Sequence, residues 1–408
     1  MRGRSRRALV ASMLLLAWAR EAPAQSSPAT PSLVRCLAAI RATPTAKRIA
    51  DSTWQRHVAG LTLDPRVLAQ LDAQPEFRLP IWDYVAVMVD DERIADGRSR
   101  LAEHRATVEA IERRFGVDRH VLAAIWGIES DFGRAMGRYD VLRSLATLGC
   151  NGRRQSYFRR EFLAALRILH KGEIAADRFR GSWAGAFGQV QFMPGSHEWL
   201  AVDFDGDGRR DILHSVGDAL ASAANYLRRS RWRGGAPWGI EVRVPEGVDG
   251  RGEGRRVRRP LRTWVARGVT RADGEPIDTV SLAAATPAGL HLPAGPLGPA
   301  FLVFDNFTAI YRYNASEAYT LAIAHLADRL RGGAPFAAPW PTDDPGISRA
   351  ERRELQSLLA ARGHDVGTPS GVLTVRTRAA VRVEQERLGH PVTGRPGQRL
   401  LRALRGRP

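Results

Sequence analysis

The sequence predicts a mainly α-helical protein with a small β-rich insert and a small helical module at its C-terminal end. Three observations carry that expectation. Apolar residues recur at spacings of three and four through residues 33–232, the period of helices that bury one face. Between residues 238 and 304 the texture changes to Gly, Pro and short β-branched runs. A stretch rich in Pro and Gly at 333–346 then separates a large domain from a tail.

At the N-terminal end, Arg2, Arg4, Arg6 and Arg7 precede an apolar run, and Ala22-Pro23-Ala24 offers a small-residue cleavage site. These are the parts of an export signal, spanning residues 1–25. The apolar run is too short for a bilayer span, which needs roughly 20 residues, and no later stretch qualifies. No cysteine stands at the cleavage site to take a lipid. The expectation is a soluble exported protein, with a retained N-terminal anchor as the alternative. The two cysteines of the chain, Cys36 and Cys150, would meet an oxidising compartment. A Cys36–Cys150 bridge is the simplest pairing, and two buried thiols are the other reading.

Helices are expected at 94–115, 119–129, 160–169 and 218–227, strands at 240–244 and 301–304, and a returning helix at 318–330. The tail module, 347–404, carries two amphipathic stretches, 352–362 and 377–388, around a Gly-rich turn at 363–371. It is near the lower size limit for an independent core. The net charge is +18 and the basic residues are almost all Arg. They are spread along the chain, no nucleic-acid motif accompanies them, and export removes the usual partner. An anionic polymer outside the cytoplasm fits better than nucleic acid.

The chemistry concentrates at Glu129. Val121, Leu122, Ala124, Ile125 and Ile128 mark the buried stripe of a helix that carries Glu129 at its end, and Gly133 and Gly137 then break the helix. A carboxyl delivered from an apolar helix into a cleft is half desolvated, which raises its pKa and suits it to donate a proton near neutral pH. The competing reading is a solvated Glu on the rim of a core helix. A second stretch, 181–196, combines small residues (Gly181, Ser182, Ala184, Gly185) with hydrogen-bonding Ser182 and Gln191 and apolar Phe192 and Met193. That mix suits a groove for a sugar polymer, with polar groups for hydroxyls and flat groups for ring faces. A Gly-rich packing turn is the plainer alternative.

Together these segments resemble the lytic murein transglycosylases of the B type, glycoside hydrolase family 103, over residues 33–332. The resemblance rests on Ile125-Trp126-Gly127-Ile128-Glu129-Ser130 with the turn at 133–137, and on Ala146-Thr147-Leu148, Asn151 and Arg153-Arg154. It continues through 181–194, the loop at Asp203, Ala224-Asn225-Tyr226, and Asp305-Asn306-Phe307 with Tyr313-Asn314. It implies a lysozyme-like helical catalytic domain that cleaves the MurNAc–GlcNAc β-1,4 bond of peptidoglycan without water and leaves 1,6-anhydro-MurNAc ends. Glu129 matches the single acid and base, and no catalytic cofactor is implied. By match to the motifs, Ser182, Gln191, Phe192, Met193, Tyr226, Tyr313, Asn314 and Tyr319 line the glycan cleft, and Arg153 and Arg154 meet lactyl or stem-peptide carboxylates. The partner is the glycan strand and the protein is expected to be a monomer. Asp131 is the nearest carboxylate in sequence, but a two-residue offset on a continuing helix turns it to another face.

The loop beginning at Asp203 has Asp at positions 1, 3 and 5 (Asp203, Asp205, Asp207), Gly208 at 6, Arg209 at 7 and Asp211 at 9, as in an EF-hand. His214 replaces the closing Glu. The resembled family has a longer loop with a later closing acid, here Asp218, which implies a structural Ca²⁺ bound by Asp203, Asp205, Asp207, Arg209 and Asp218. A metal-free Asp-Gly turn is the alternative. The tail resembles a three-helix peptidoglycan-binding domain through Leu355-Gln356, Leu359, Gly363-His364-Asp365, Gly371-Val372-Leu373, Thr377-Arg378, Ala380-Val381 and Gly394. It departs at Ser370 and at Glu384 before Gln385. The readings that compete with a transglycosylase are a hydrolytic muramidase on the same scaffold and a non-catalytic wall-binding protein.

Overall fold

The computed structural model describes residues 31–71, 79–248 and 254–406, so the predicted export signal lies outside the described residues. Most of the chain is helical, as the periodicity predicts. At the centre stands the helix Arg119–Ser130, capped by the Asp118 carboxylate on the His120 N–H. Val121, Leu122, Ala124 and Ile125 are buried as expected, but so are Ala123, Trp126 and Gly127. The expected one-sided stripe is therefore a helix enclosed on almost every side, as helices at the middle of a large core are. The helices Asp91–Glu103, Val216–Arg229 and Glu317–Arg331 surround it.

The single helix expected over 94–115 is two, Asp91–Glu103 and Arg105–Phe115, broken at His104 (φ −102°, ψ 23°). No Gly or Pro marks that break. The His104 ring instead packs edge-on against Trp126, 5.6 Å between centroids, a tertiary contact that local propensity does not report. Cys36 and Cys150 are bridged. The bridge ties the helix Pro31–Arg41 to the end of Val141–Asn151, and closing a loop of 114 residues stabilises by about 4 to 5 kcal/mol in the chain-entropy account.

Strands β1 (Tyr139–Asp140) and β2 (Arg180–Gly181) pair beside the central helix. The insert holds β3 (Gly239–Arg243), β4 (Arg259–Pro260), β5 (Thr270–Arg271), β6 (Pro287–His291) and β7 (Ala300–Val303), in the order β4-β6-β7-β3-β5. Every pairing in it is antiparallel. Strand β7 is buried throughout: Ala300 and Leu302 face the insert's own core with Trp264 and Leu261, while Phe301 and Val303 join the main core. The period-two alternation thus welds the insert to the helical body.

The helices Arg349–Ala361, Val375–Arg387 and Gln398–Leu404 form the tail module around Leu355, Leu359, Val381, Leu400 and Leu401. Glu384, one of its departures from the resembled pattern, is buried and satisfied by His364 and Arg387. The Pro-rich connection is pinned along the body. Phe336 stacks on His325 at 3.7 Å, and the Glu241 carboxylate accepts from the N–H groups of Ala337 and Ala338. The module itself docks on the helix Ile81–Met88. Arg395 forks onto the buried Asp83 carboxylate at 2.6 and 2.7 Å and also meets Asp344 at 2.8 Å. Arg349 reaches Asp131 at 2.7 Å, and Arg353 pairs with Glu92.

Removing one member of a buried, bidentate pair leaves the other charge uncompensated. Asp83→Ala is expected to cost about 2 to 3 kcal/mol in denaturant unfolding, the low end of such losses because Arg395 keeps some solvent contact. Limited proteolysis of the variant should cut within 333–346, where the wild-type chain resists.

Candidate active site

The central helix ends at Ser130, one residue past the expected 119–129 and ahead of both glycines. Asp131 (φ 51°) and Phe132 (φ 58°) take left-handed conformations ahead of Gly133 (φ 83°). Asp tolerates that region by its short polar side chain, whereas for Phe it is strained. The reversal is held in place. Ser130 Oγ donates to the Gln189 carbonyl at 2.6 Å and accepts from the Gly133 N–H at 2.9 Å, joining the helix end to the 181–194 stretch. The second glycine is a close-approach position. A Cβ on Gly137 (φ 97°) would lie 2.1 Å from the backbone of Gly181, so any side chain there would push β2 away from the catalytic helix.

Glu129 is half-buried at this corner. Its Oε1 accepts a hydrogen bond from the Tyr319 hydroxyl at 2.6 Å. Desolvation pushes its carboxyl up to about 7, against the smaller downward pull of that hydrogen bond. Burial likewise raises the hydroxyl pKa of Tyr313 and Tyr319, with the nearby Glu129 charge acting in the same direction, so both stay neutral donors. Among the described residues, no second carboxylate bonds to Glu129. Asp131 lies past the helix end, where pairing with Arg134 and Arg349 outweighs its own desolvation and holds its pKa low.

Gln191 (φ 47°) donates to the carbonyls of Met136 and Gly188 at 3.0 and 2.9 Å, locking the 133–137 turn to the 181–194 loop. Ser182 Oγ accepts from the Ala186 N–H. Tyr313 donates to the Val190 carbonyl and Tyr226 to that of Arg312, with the two rings 4.7 Å apart. Asn314, exposed, follows Tyr313 at the helix end, and Met193, half-buried, precedes the helix Pro194–Leu200. Of these residues, Tyr319 bonds to Glu129 and Tyr313 feels its charge, while Gln191, Tyr226 and Tyr313 are linked to the 188–192 loop; two residues have other tasks than expected. Phe192 is 2 % exposed and offers no ring face to a ligand; it backs the rings of Tyr226 and Tyr313. Tyr319 is equally buried and addresses Glu129 itself. Arg153 and Arg154 are exposed before the helix Gln155–His170, with Arg154 over the Tyr157 ring at 4.6 Å. Gln189, which orders both the helix end and the loop at Ile212, was not signalled by the sequence pattern; an amide in a Gly-rich run reads as surface.

The Asp203 loop is built in part as expected. Carboxylate oxygens of Asp203, Asp205 and Asp218 lie within 4.8 Å of one another. Asp207 is not among them: it is exposed and turned back onto the Arg209 N–H, closing an Asx turn instead of facing the cluster. Arg209 is exposed with it. Asp218 is buried, its carboxyl raised by desolvation with the Asp205 charge adding to the shift, and both its oxygens accept backbone N–H groups.

The arrangement of one raised carboxyl, a buried tyrosine donor and a Gly-rich wall agrees with sequence comparison. Residues 32–328 match the profile described as the transglycosylase SLT domain. The chain belongs to that family. Residues 348–404 match a peptidoglycan binding domain. Membrane-bound lytic murein transglycosylase B of Escherichia coli strain K12 is 32% identical over 217 residues, 53% of this chain and 58% of that protein; the chain thus spans little more than half the length of that relative. SltB3 of Pseudomonas aeruginosa, solved in complex with NAG-anhNAM-pentapeptide, is 45% identical, covers 92% of this chain and 100% of that one, and superposes with a TM-score of 0.73. The E. coli lytic transglycosylase Slt35 in complex with calcium is 25% identical over 74% of this chain and 93% of that one, with a TM-score of 0.63. Among the described residues of this SLT-family chain, no helix is long and apolar enough to cross a membrane.

The raised carboxyl carries a stability consequence with a definite sign. Between the unfolded pKa near 4.5 and the folded value of about 7, the native state holds a proton that the unfolded state has lost, so stability falls as pH rises through that window. Glu129→Gln abolishes the effect. The variant should unfold like the wild type below pH 4 and be more stable by about 2 to 3 kcal/mol above pH 7. Denaturant titrations at several pH values measure the difference.

Proposed function

We propose that this chain is a lytic transglycosylase that cleaves the MurNAc–GlcNAc β-1,4 bond of peptidoglycan in the periplasm and leaves 1,6-anhydro-MurNAc ends. The observation that carries it is the raised carboxyl of Glu129, while Asp131, the nearest carboxylate in sequence, is held past the helix end by Arg134 and Arg349. Lysozyme-type retaining hydrolysis would want another about 5 Å away. With Oε1 held by Tyr319, the other oxygen is left to address the glycosidic oxygen. Protonated Glu129 gives up its proton as the C1–O bond breaks, and the departing GlcNAc leaves with a hydroxyl. The Glu129 carboxylate then takes the proton of the MurNAc C6 hydroxyl as O6 bonds to C1, which restores the acid and consumes no water. The C6 hydroxyl has the effective-molarity advantage of an intramolecular nucleophile. Ser182, Gln191, Met193, Tyr226, Tyr313 and Asn314 would wall the glycan cleft, with Phe192 and Tyr319 behind them.

The Asp203 loop is proposed as a structural Ca²⁺ site. Its donor set fits: three converging carboxylates, one of them buried, suit a hard divalent cation that takes oxygen ligands. Catalysis needs no cofactor. The tail module would hold the enzyme, as a monomer, on the wall.

Digestion of purified peptidoglycan in ¹⁸O-labelled water tests the reaction. Products should carry the anhydro mass without label; label at every new reducing end would make the protein a muramidase. Glu129→Gln should lower the rate by 10²-fold or more, and near wild-type turnover would sink the single-acid assignment. For the loop, the melting temperature after chelation should rise with added Ca²⁺ as RT ln(1 + [L]/Kd) dictates. An unchanged melt across millimolar Ca²⁺ rules the site out.

A further inference from the structure

The reversal that follows the catalytic helix is gripped from outside its own domain. Asp131 and Phe132 sit in left-handed geometry directly after Glu129 and Ser130, and their N–H groups close the helix on the carbonyls of Gly127 and Trp126 at 3.1 and 3.2 Å. A non-glycine backbone stays in that region only where its neighbours over-determine it. Packing supplies one constraint, since the buried Phe132 ring lies edge-on to Trp126 with centroids 5.5 Å apart. The Asp131 carboxylate supplies another. Its Oδ2 accepts from Arg134 within the turn at 3.0 Å, and its Oδ1 accepts from Arg349 of the tail module at 2.7 Å. The Arg134 side chain is 44 % exposed and the Arg349 side chain 18 %, so water screens the local pair more than the pair that crosses the domains.

Arg349 is fixed in turn by the seat of the module. It is the first residue of the helix Arg349–Ala361, and its backbone N–H donates to Asp90 Oδ2 at 3.2 Å, with its Nε 3.5 Å from the same oxygen. Asp90 is buried, and its other oxygen caps the helix Asp91–Glu103 through the Arg93 N–H at 2.8 Å. That helix packs on the catalytic one. A single guanidinium therefore meets two carboxylates, Asp90 at the seat of the module and Asp131 two positions after the acid. A planar fork can do this, and an ammonium does it only in part.

We propose that Arg349 is a positioning residue for Glu129: from the tail module it holds the Asp131 reversal that aims the acid, so that docking of the module completes the catalytic corner. The proposal rests on the transglycosylase reading and adds to it a dependence of turnover on a residue outside the catalytic domain. Ser130 and Gln191 still tie the turn when Arg349 is lost, so the carboxyl is loosened and not released. Displacing a reacting group by about 1 Å can cost about 10²-fold, and the partial loosening here is expected to cost about 10-fold in kcat. Among the described residues, Arg349 bonds to none of those proposed to wall the cleft, so KM should hold.

Kinetics of full-length chains on a soluble GlcNAc–MurNAc tetrasaccharide test it, with cleavage followed as loss of substrate mass. Arg349→Ala should lower kcat by about 10-fold and leave KM within about 2-fold. Arg349→Lys should recover part of the loss. Asp131→Asn keeps a residue tolerant of left-handed geometry, leaves the Asp90 contact in place, and should lower kcat on its own. In that background Arg349→Ala should cost less than about 3-fold, because the two residues act through one contact. Arg353→Ala, which gives up the Glu92 pair without touching Asp131, should leave kcat unchanged. An unchanged kcat in Arg349→Ala overturns the proposal. So does full multiplication of the two losses in the double variant, or an equal loss in Arg353→Ala, since either traces the effect to general loosening of the module. Should Arg349→Ala fail to fold, Asp131→Asn decides, and an unchanged kcat there overturns the proposal equally. Substrate loss is read whether the product is anhydro or hydrolysed, so the ¹⁸O experiment judges the parent reading separately.

Discussion

A carboxyl group placed at the end of an apolar, enclosed helix has to be kept protonated near neutrality, and much of the catalytic domain follows from meeting that requirement. The helix must be buried so that Glu129 is desolvated, which accounts for the ring of helices around it. Its end must then turn sharply, so that the carboxyl reaches a cleft rather than the core. That turn runs through two left-handed non-glycine residues and is secured by Ser130 on the Gln189 carbonyl and by Gln191 on the Met136 carbonyl. Strain of this kind persists where surrounding structure over-determines it, and here the Glu129 carboxyl is what it positions.

The tail module extends the same logic across domains. A Pro- and Gly-rich connection would ordinarily behave as a semi-flexible spacer. Here Glu241, His325 and Asp344 hold it or the module it serves at fixed points, and Arg395 is forked onto a buried carboxylate of the catalytic body. Arg349 then meets Asp131, two positions after Glu129. The tail module is thus joined to the catalytic domain by side-chain pairs that reach to within two residues of Glu129.

The helices, the insert, the linker and the disulfide were legible because each leaves a periodic or compositional trace. So was the desolvated carboxyl of Glu129, since an acid at the end of an apolar run stands out against its neighbours. What the sequence hid was mostly long-range. The break at His104 depends on Trp126, the burial of Phe192 on Tyr226 and Tyr313, and the turn of Asp207 away from the acidic cluster on a hydrogen bond to its own loop. The central helix ends within one residue of the expected 119–129, but the left-handed Asp131 and Phe132 after it were hidden because the glycines that follow were the louder signal. The role of Tyr319 could not be separated from that of the cleft tyrosines by sequence, because the same residue type serves a ligand or a neighbouring side chain equally well.

Tyr319 lies 190 positions after Glu129, on the last long helix of the catalytic domain and beyond the whole β-rich insert. A chain emerging from its N-terminal end therefore builds the helix that carries the acid long before it can supply the hydroxyl. Contacts of such high sequence separation are the slow ones in folding, because loop closure has to precede any gain from the contact. The environment that desolvates Glu129 is accordingly complete only after that helix docks. A partly folded chain, with the return helix undocked, would leave Glu129 in water with an ordinary carboxylate pKa. The order of assembly thereby decides when the carboxyl gains its raised pKa.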